Sequence, residues 1–231
     1  MSIFKLPGNL KVKKVILAVL VLISIGVIIE FASGNKKADV NEVTKFEENA
    51  EDNNEEILVP ENIISEEDSL YSDAYNTFFT GDYSGTIGKA DAIIDKYPES
   101  SKGYNIRGIA KAFAGNFENG MKDIDKALDI NPNFGYARYN KALNYELYGH
   151  YDESLKWYDK ALEVEDYMWS YYGIASIYGR RGDAANTVKY LNKAVEAEKA
   201  EGKSAIREEA KTEKDFDPVR SNQEFKNFIN G

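Results

Sequence analysis

Cysteine is absent from this chain of 231 residues, and histidine occurs once, as His150. The absence of cysteine excludes a disulfide framework, a thiolate nucleophile, a thiolate metal site and an acylated-cysteine membrane anchor. A single histidine excludes most protein metal sites and histidine-based catalytic triads. We therefore expect no metal and no cofactor. His150 falls in a predicted turn, where we expect a solvated side chain rather than a ligand or a base.

Positive charge is also scarce, with 29 Lys and Arg against 39 Asp and Glu and a formal net charge of −10. Broad nucleic-acid binding needs a basic surface that displaces counterions, so we expect no nucleic-acid partner. Glycine-rich phosphate-binding loops are missing as well. Carboxylates such as Asp123 and Asp125 lie two residues apart on a predicted helix and do not face each other, so we interpret them as solvated. The sequence predicts that the chain is not an enzyme.

The longest apolar run lies near the N-terminus. Four lysines within residues 1–14 precede an uncharged run over residues 15–29, which Glu30 ends. Fifteen helical residues span about 22 Å, against a hydrocarbon core of roughly 30 Å. Flanking apolar residues and snorkelling lysines can supply the difference. We predict a basic cytoplasmic N-terminus over residues 1–14 and a transmembrane anchor over residues 15–32.

The lysines before the span place the N-terminus in the cytoplasm and the rest of the chain outside it, as a single-pass protein of the cell membrane. A cleaved signal peptide within residues 1–34 is the alternative, and the protein would then be secreted. Glu30 and Phe31 stand where a cleavage region needs small residues, which favours the anchor.

An acidic segment follows the span. Residues 33–66 contain three lysines and ten acidic residues, with few apolar side chains between them. Such a composition cannot bury enough surface to fold alone. We predict a disordered linker over residues 33–65, acting as a solvated spacer rather than as an acidic recognition tail.

The rest of the chain repeats itself. A glycine recurs at Gly81, Gly115, Gly149 and Gly182, at intervals of 34, 34 and 33 residues. A small residue precedes each glycine by seven positions and another follows it by five; the pairs are Ala74/Thr86, Gly108/Gly120, Ala142/Ser154 and Ala175/Thr187. Small residues at this spacing let two antiparallel helices approach closely. The glycine can end the first helix in a left-handed conformation, and the Asp or Asn after it can cap the second.

In period and in small-residue pattern, these positions resemble the tetratricopeptide repeat (TPR). The resemblance implies an all-α, right-handed solenoid of helix-turn-helix repeats within residues 66–201. We assign four repeats, at residues 67–100, 101–134, 135–167 and 168–201. We assign residues 202–231 to C-terminal capping helices, with Ser221 and Glu224 as a capping box, because a solenoid must cover its last stacking face.

The resemblance also implies a protein-binding groove lined by the first helix of each repeat. The residues predicted to line it are Tyr136, Tyr139, Trp169, Tyr172, Asn105, Asn140, Phe113 and Leu143. The clamp of Lys, Asn and Arg by which some TPR proteins hold a C-terminal carboxylate is not matched here, because only Asn140 fits. We therefore predict a membrane-tethered scaffold that binds an unidentified protein or peptide through apolar and aromatic contacts. Self-association into a homo-oligomer of the cell envelope is the alternative function.

Overall fold

The computed structural model describes residues 65–200 and 205–231. All of the regular structure in these two ranges is helical. In chain order the helices are α1 (Glu66–Phe79), α2 (Tyr83–Lys96), α3 (Ser101–Phe113), α4 (Phe117–Ile130), α5 (Gly135–Leu147), α6 (Tyr151–Leu162), α7 (Met168–Arg180), α8 (Ala184–Ala200), α9 (Ile206–Thr212), a 3₁₀ helix (Lys214–Val219) and α10 (Gln223–Asn230). The predicted all-α, TPR-like solenoid is confirmed for these ranges.

The predicted membrane segment is not among the described residues. Residues 1–14, the span 15–32 and the linker up to residue 64 all lie outside the two ranges. Within the ranges, no helix combines the length and the apolar character that crossing a bilayer requires.

Each helix pair turns at the recurring glycine. The four turn glycines have φ between +75° and +94°, which is the left-handed region that side chains with a Cβ rarely adopt. In the first two pairs the next residue caps the second helix: Asp82 accepts a hydrogen bond from the backbone N–H of Gly85, and Asn116 accepts one from the backbone N–H of Asn119. Both features of the turn are as the sequence predicts.

The small residues lie where the two helices of a pair meet. Ala74, Thr86, Ala142 and Ser154 are completely buried. The tightest approach is between α3 and α4, where a Cβ on Gly108 would lie only 2.8 Å from the carbonyl oxygen of Gly120. The backbones themselves are in contact there, so no side chain fits.

The C-terminal cap differs in one detail from the sequence-based expectation. It consists of α9, which ends at Thr212, the 3₁₀ helix, which contains Pro218, and α10. The last helix is capped by Asn222, whose side chain accepts from the N–H of Glu224, and not by Ser221. Phe225 and Phe228 on this helix are buried.

Asp123 is a correction to the sequence analysis, which interprets it as solvated. Its side chain is only 8% exposed and accepts hydrogen bonds from Arg107 Nε at 2.7 Å and Lys111 Nζ at 2.6 Å. Arg107 also bonds Asp91 of α2, and the hydrogen bond to Asp123 is the main reason that the pKa of Arg107 is raised. The carboxylate is buried because two cations on α3 neutralise it.

The contact between Gly108 and Gly120 gives a stability prediction. Gly108→Ala places a methyl group 2.7 Å from Ile124 Cγ1 and against the α4 backbone. We expect the free energy of unfolding to fall by about 1–3 kcal/mol, measured by urea unfolding followed by circular dichroism.

The matched control is Gly88→Ala on α2, where a Cβ meets no atom within 4 Å. Removing an exposed helical glycine should stabilise the protein by about 0.5–1 kcal/mol. Equal effects of the two substitutions would contradict the close-packing explanation.

Candidate partner-binding face

The first helices of the pairs present a row of aromatic rings on one surface, which we call the inner face. It carries Tyr75 on α1, Tyr136 and Tyr139 on α5, and Tyr167 just before α7. The Tyr136 ring stacks on Tyr139 at 5.8 Å, meets Tyr167 edge-on at 6.1 Å and lies 6.4 Å from Tyr75. Rings from three different pairs therefore form one continuous cluster.

These tyrosines are half-buried against one another. Burial raises the pKa of Tyr136 and of Tyr139 above the ordinary range of tyrosine. They are consequently neutral at any physiological pH, and they offer hydroxyl groups and ring faces rather than charge. Such side chains combine large apolar area with a polar tip, which suits protein recognition.

Asn105 and Asn140, two of the predicted groove residues, lie beneath this surface. They are 0% and 1% exposed, and Asn140 Nδ2 donates to Asn105 Oδ1 at 3.1 Å across the second and third pairs. As placed, the two amides join neighbouring repeats. A direct contact between either residue and a partner stays a prediction.

The other predicted residues lie at two places. Phe113 packs edge-on against Phe78 at 5.2 Å and near Tyr83, at the turn end of the first two pairs. Leu143, Trp169 and Tyr172 line a cleft near the fourth pair, together with Tyr139. The structure thus brings four of the eight predicted residues together around one cavity.

The fourth pair is covered by the chain itself. Phe216 of the 3₁₀ helix packs edge-on against Tyr172 at 5.7 Å. A Cβ on Gly179 would lie 2.6 Å from the Phe216 ring, so glycine is the residue that lets the 3₁₀ helix sit against α7. The 3₁₀ helix therefore covers α7 at Tyr172 and Gly179.

Arg180 links this covering segment to three helices. Its Nη2 lies 2.7 Å from Asp215 Oδ2 and 3.4 Å from Glu146 Oε1, and its Nη1 donates to the Tyr151 hydroxyl. Ser176 Oγ also donates to Asp215 at 2.5 Å. One guanidinium thus holds α5, α6, α7 and the 3₁₀ helix in register.

Glu146 is buried at the centre of that network. Its Oε2 accepts from the Tyr158 hydroxyl at 2.6 Å, and Gly173 leaves room for the Tyr158 ring. Burial raises the pKa of Glu146, although Arg180 and the Tyr158 hydrogen bond act in the opposite direction. The carboxyl group is therefore well supplied with partners in spite of its burial.

Glu209, on α9, also lines the cleft but lacks such support. Burial, followed by the like charges of Glu213 and Glu198, raises the pKa of Glu209 from 4.5 to about 7. Its Oε2 atom is buried and has no hydrogen-bond partner among the described residues. A carboxylate in this situation favours an added proton or an added cation.

The cleft has a volume of about 180 Å³ and combines residues from distant parts of the chain. Glu146 lies on α5 and Ser176 on α7, which are first helices of their pairs and therefore belong to the predicted groove. Glu209 and Asp215 lie beyond the last repeat, and no motif marks them. Within the two described ranges, no cluster of three or more His, Cys, Asp or Glu residues has the arrangement of a metal site.

The unsupported carboxylate predicts a pH-dependent stability. The pKa of Glu209 is raised to about 7 in the folded state. The stability that the protonated side chain contributes is therefore fully present below the pKa of the unfolded state, and it is lost as the pH rises through about 7. Glu209→Gln should therefore stabilise the protein by about 1–3 kcal/mol at pH 8, and by much less at pH 5. Thermal unfolding at the two pH values measures this difference.

Glu208→Gln is the control, because Glu208 is exposed on the same helix and pairs with Lys211. It should change stability by less than about 0.5 kcal/mol at either pH. If Glu209→Gln increased the stability equally at pH 5 and pH 8, that result would contradict a raised pKa of Glu209 in the folded state.

Comparisons with known proteins agree with this architecture. Residues 170–201 match the family model described as tetratricopeptide repeat. An uncharacterized protein of Methanocaldococcus jannaschii, MJ0572, is 27% identical over 75 residues, which cover 32% of this chain and 87% of that protein.

Solved structures with a similar fold include TTC0263, a thermophilic TPR protein of Thermus thermophilus. It shares 19% identity, with 58% of this chain and 74% of that chain covered and a TM-score of 0.53. A crystal structure of MamA shares 21% identity over 59% of this chain and 81% of that chain, with a TM-score of 0.49. A TPR fold supports a scaffold for protein–protein interaction. The repeat pattern, the helix pairs and the family model that matches residues 170–201 together support a tetratricopeptide-repeat fold for the described part of this chain.

Proposed function

We propose that the chain is a membrane-tethered scaffold that binds a protein partner at its inner face, outside the cytoplasm. The observation that carries the proposal is the continuous row of half-buried tyrosines from α1 to α7, which leads to the cleft beside Trp169. Rings already packed against each other lose little conformational freedom when a partner adds to them. The surface is therefore preorganised for binding.

Because the C-terminal segment covers part of the fourth pair, it limits where a partner can contact the inner face. With Phe216 packed against α7, a partner would approach the inner face over the first three pairs and end at the cleft. Polar side chains are concentrated at the cleft, whereas the tyrosines supply apolar contact area along the rest of the inner face. An extended segment running along the first helices matches this distribution.

Tethering is the second part of the proposal. It rests on the sequence, with the apolar run 15–32 after four lysines and an acidic spacer of residues 33–65. As a flexible coil, such a spacer has its ends about 30 Å apart, and repulsion between its acidic residues extends it further. The repeat domain would thus bind partners near the membrane surface without lying on it.

Site-specific photocrosslinking tests the binding face. A photoreactive benzoyl-phenylalanine in place of Tyr136, in the full-length chain in its native cells, should give a discrete crosslinked product that mass spectrometry identifies as a second protein. The same residue in place of Tyr104, whose ring lies beside Arg107 and Lys126, should give none.

Two results would change the conclusion. Identical products from both positions would show that the inner face is not the binding surface. A product that contains only two copies of this chain would replace the scaffold by self-association.

Membrane extraction tests the tether. The full-length chain should stay in the membrane pellet after alkaline carbonate treatment, and protease added to spheroplasts should digest the repeat domain but spare an N-terminal tag. The control variant, which lacks residues 15–32, should remain in the soluble fraction. A mature chain whose mass shows that it begins near residue 35 would establish the cleaved signal peptide instead.

A further inference from the structure

The cleft at the end of the inner face is smaller than the usual pocket for a drug-sized ligand. Its volume is about 180 Å³, whereas pockets for drug-sized ligands measure roughly 300–1,000 Å³. Its walls come from α5, α6, α7, α9 and the 3₁₀ helix, so five elements of the C-terminal half of the domain build it. A space of this size suits one side chain of a partner.

Three polar atoms around the cleft have no hydrogen-bond partner in the described part of the chain. They are Trp169 Nε1, Tyr172 Oη and Glu209 Oε2, and all three are buried. Trp169 is only 7% exposed, and its ring meets that of Tyr172 at 5.5 Å. An unsatisfied buried polar atom costs about 1–3 kcal/mol, so three beside one cavity indicate that the cavity takes a polar ligand.

The charges around the cleft favour a cation. Glu146, Glu209 and Asp215 line it, and the one described cation that pairs with this group, Arg180, already binds Asp215 and Glu146. Glu209 feels the like charges of Glu213, before the 3₁₀ helix, and of Glu198 on α8. The neutral Tyr139 and Tyr172 line the same cleft. A positive group beside Glu209 would relieve this repulsion.

Aromatic rings complete the lining. Tyr139, Tyr158, Trp169 and Tyr172 all border the cavity. Their faces attract cations by about 0.5–2 kcal/mol each, and more strongly where water is excluded. An acidic cleft with aromatic walls therefore has the features of an ammonium-binding site.

We propose that the cleft binds a lysine side chain of the protein partner, with the ammonium donating to Glu209 Oε2 and lying among the rings of Tyr139 and Tyr172. The Trp169 N–H then donates to a carbonyl oxygen of the same partner segment. Glu209 offers one unpartnered oxygen, which suits the compact ammonium better than the two-pronged guanidinium of arginine. The inference rests on the proposed function and specifies what its partner presents.

Tryptophan fluorescence of the full-length chain in a nonionic detergent tests the proposal. The chain contains two tryptophans, so Trp157→Phe leaves Trp169 as the only reporter. At constant ionic strength, N-acetyl-lysine methylamide should change the emission saturably. N-acetyl-norleucine methylamide, which lacks the ammonium group, should bind about tenfold more weakly or not at all.

Glu209→Gln in the same background should weaken binding of the lysine compound by about tenfold. Glu208→Gln, on the exposed side of α9, should leave it unchanged. Binding to the unsubstituted site should weaken from pH 8 to pH 6 as Glu209 takes up a proton, and Glu209→Gln should lose this dependence. Unfolding curves of both variants confirm that the fold is retained.

Three results would overturn the assignment: no saturable response to the lysine compound, equal binding of the norleucine compound, or tighter binding of N-acetyl-arginine methylamide. The titration uses no partner, and the crosslinking at Tyr136 does not use Glu209. A bound probe without a crosslinked partner would reject the proposed function alone, and a crosslinked partner without probe binding would reject the lysine site alone.

Discussion

Close approach of two helix backbones, repeated about every 34 residues, is the constraint on which the rest of this structure depends. At its tightest, between Gly108 and Gly120, the contact leaves no room for a Cβ. Because small residues occupy the line of contact, the large side chains point to the sides of each pair, where they pack against the next pair. The same geometry places one set of aromatic residues on the inner face.

A repeat array has an end, and the way this chain closes it shapes the candidate site. The last pair would expose its stacking surface, and the C-terminal segment covers it with buried Phe216, Val219, Phe225 and Phe228. The C-terminal segment also places charged side chains in the interior. Asp215 pairs with Arg180 of α7, and α9 brings Glu209 into the lining of the cleft. The cap therefore both completes the core and builds an acidic pocket.

The balance of charges in that pocket separates two kinds of buried carboxylate. Glu146 has a hydroxyl donor and a guanidinium within reach, which offset its burial. Glu209 has acidic neighbours and an oxygen without a donor. Asp123, another buried carboxylate, is paired with Arg107. The unpartnered oxygen of Glu209 is therefore more consistent with binding than with stability.

Local rules of the sequence determined the fold of the described ranges. The glycine period, the caps at Asp82 and Asn116 and the small-residue pairs act within about 15 residues of one another, so they can be recognised along the chain. They also determined which residues occupy the groove positions. The sequence could not show which of those positions face solvent, because that depends on what packs over them.

Only the tertiary structure determined which polar residues are buried and which residues form the cleft. Asn105 and Asn140 are paired and buried because two pairs stack, and Asp123 is buried because Arg107 and Lys111 converge on it from α3. Glu209 and Asp215 reach the groove only because the C-terminal segment folds back on α7. No local periodicity encodes such contacts, since they depend on how neighbouring pairs stack and on how the last helices dock.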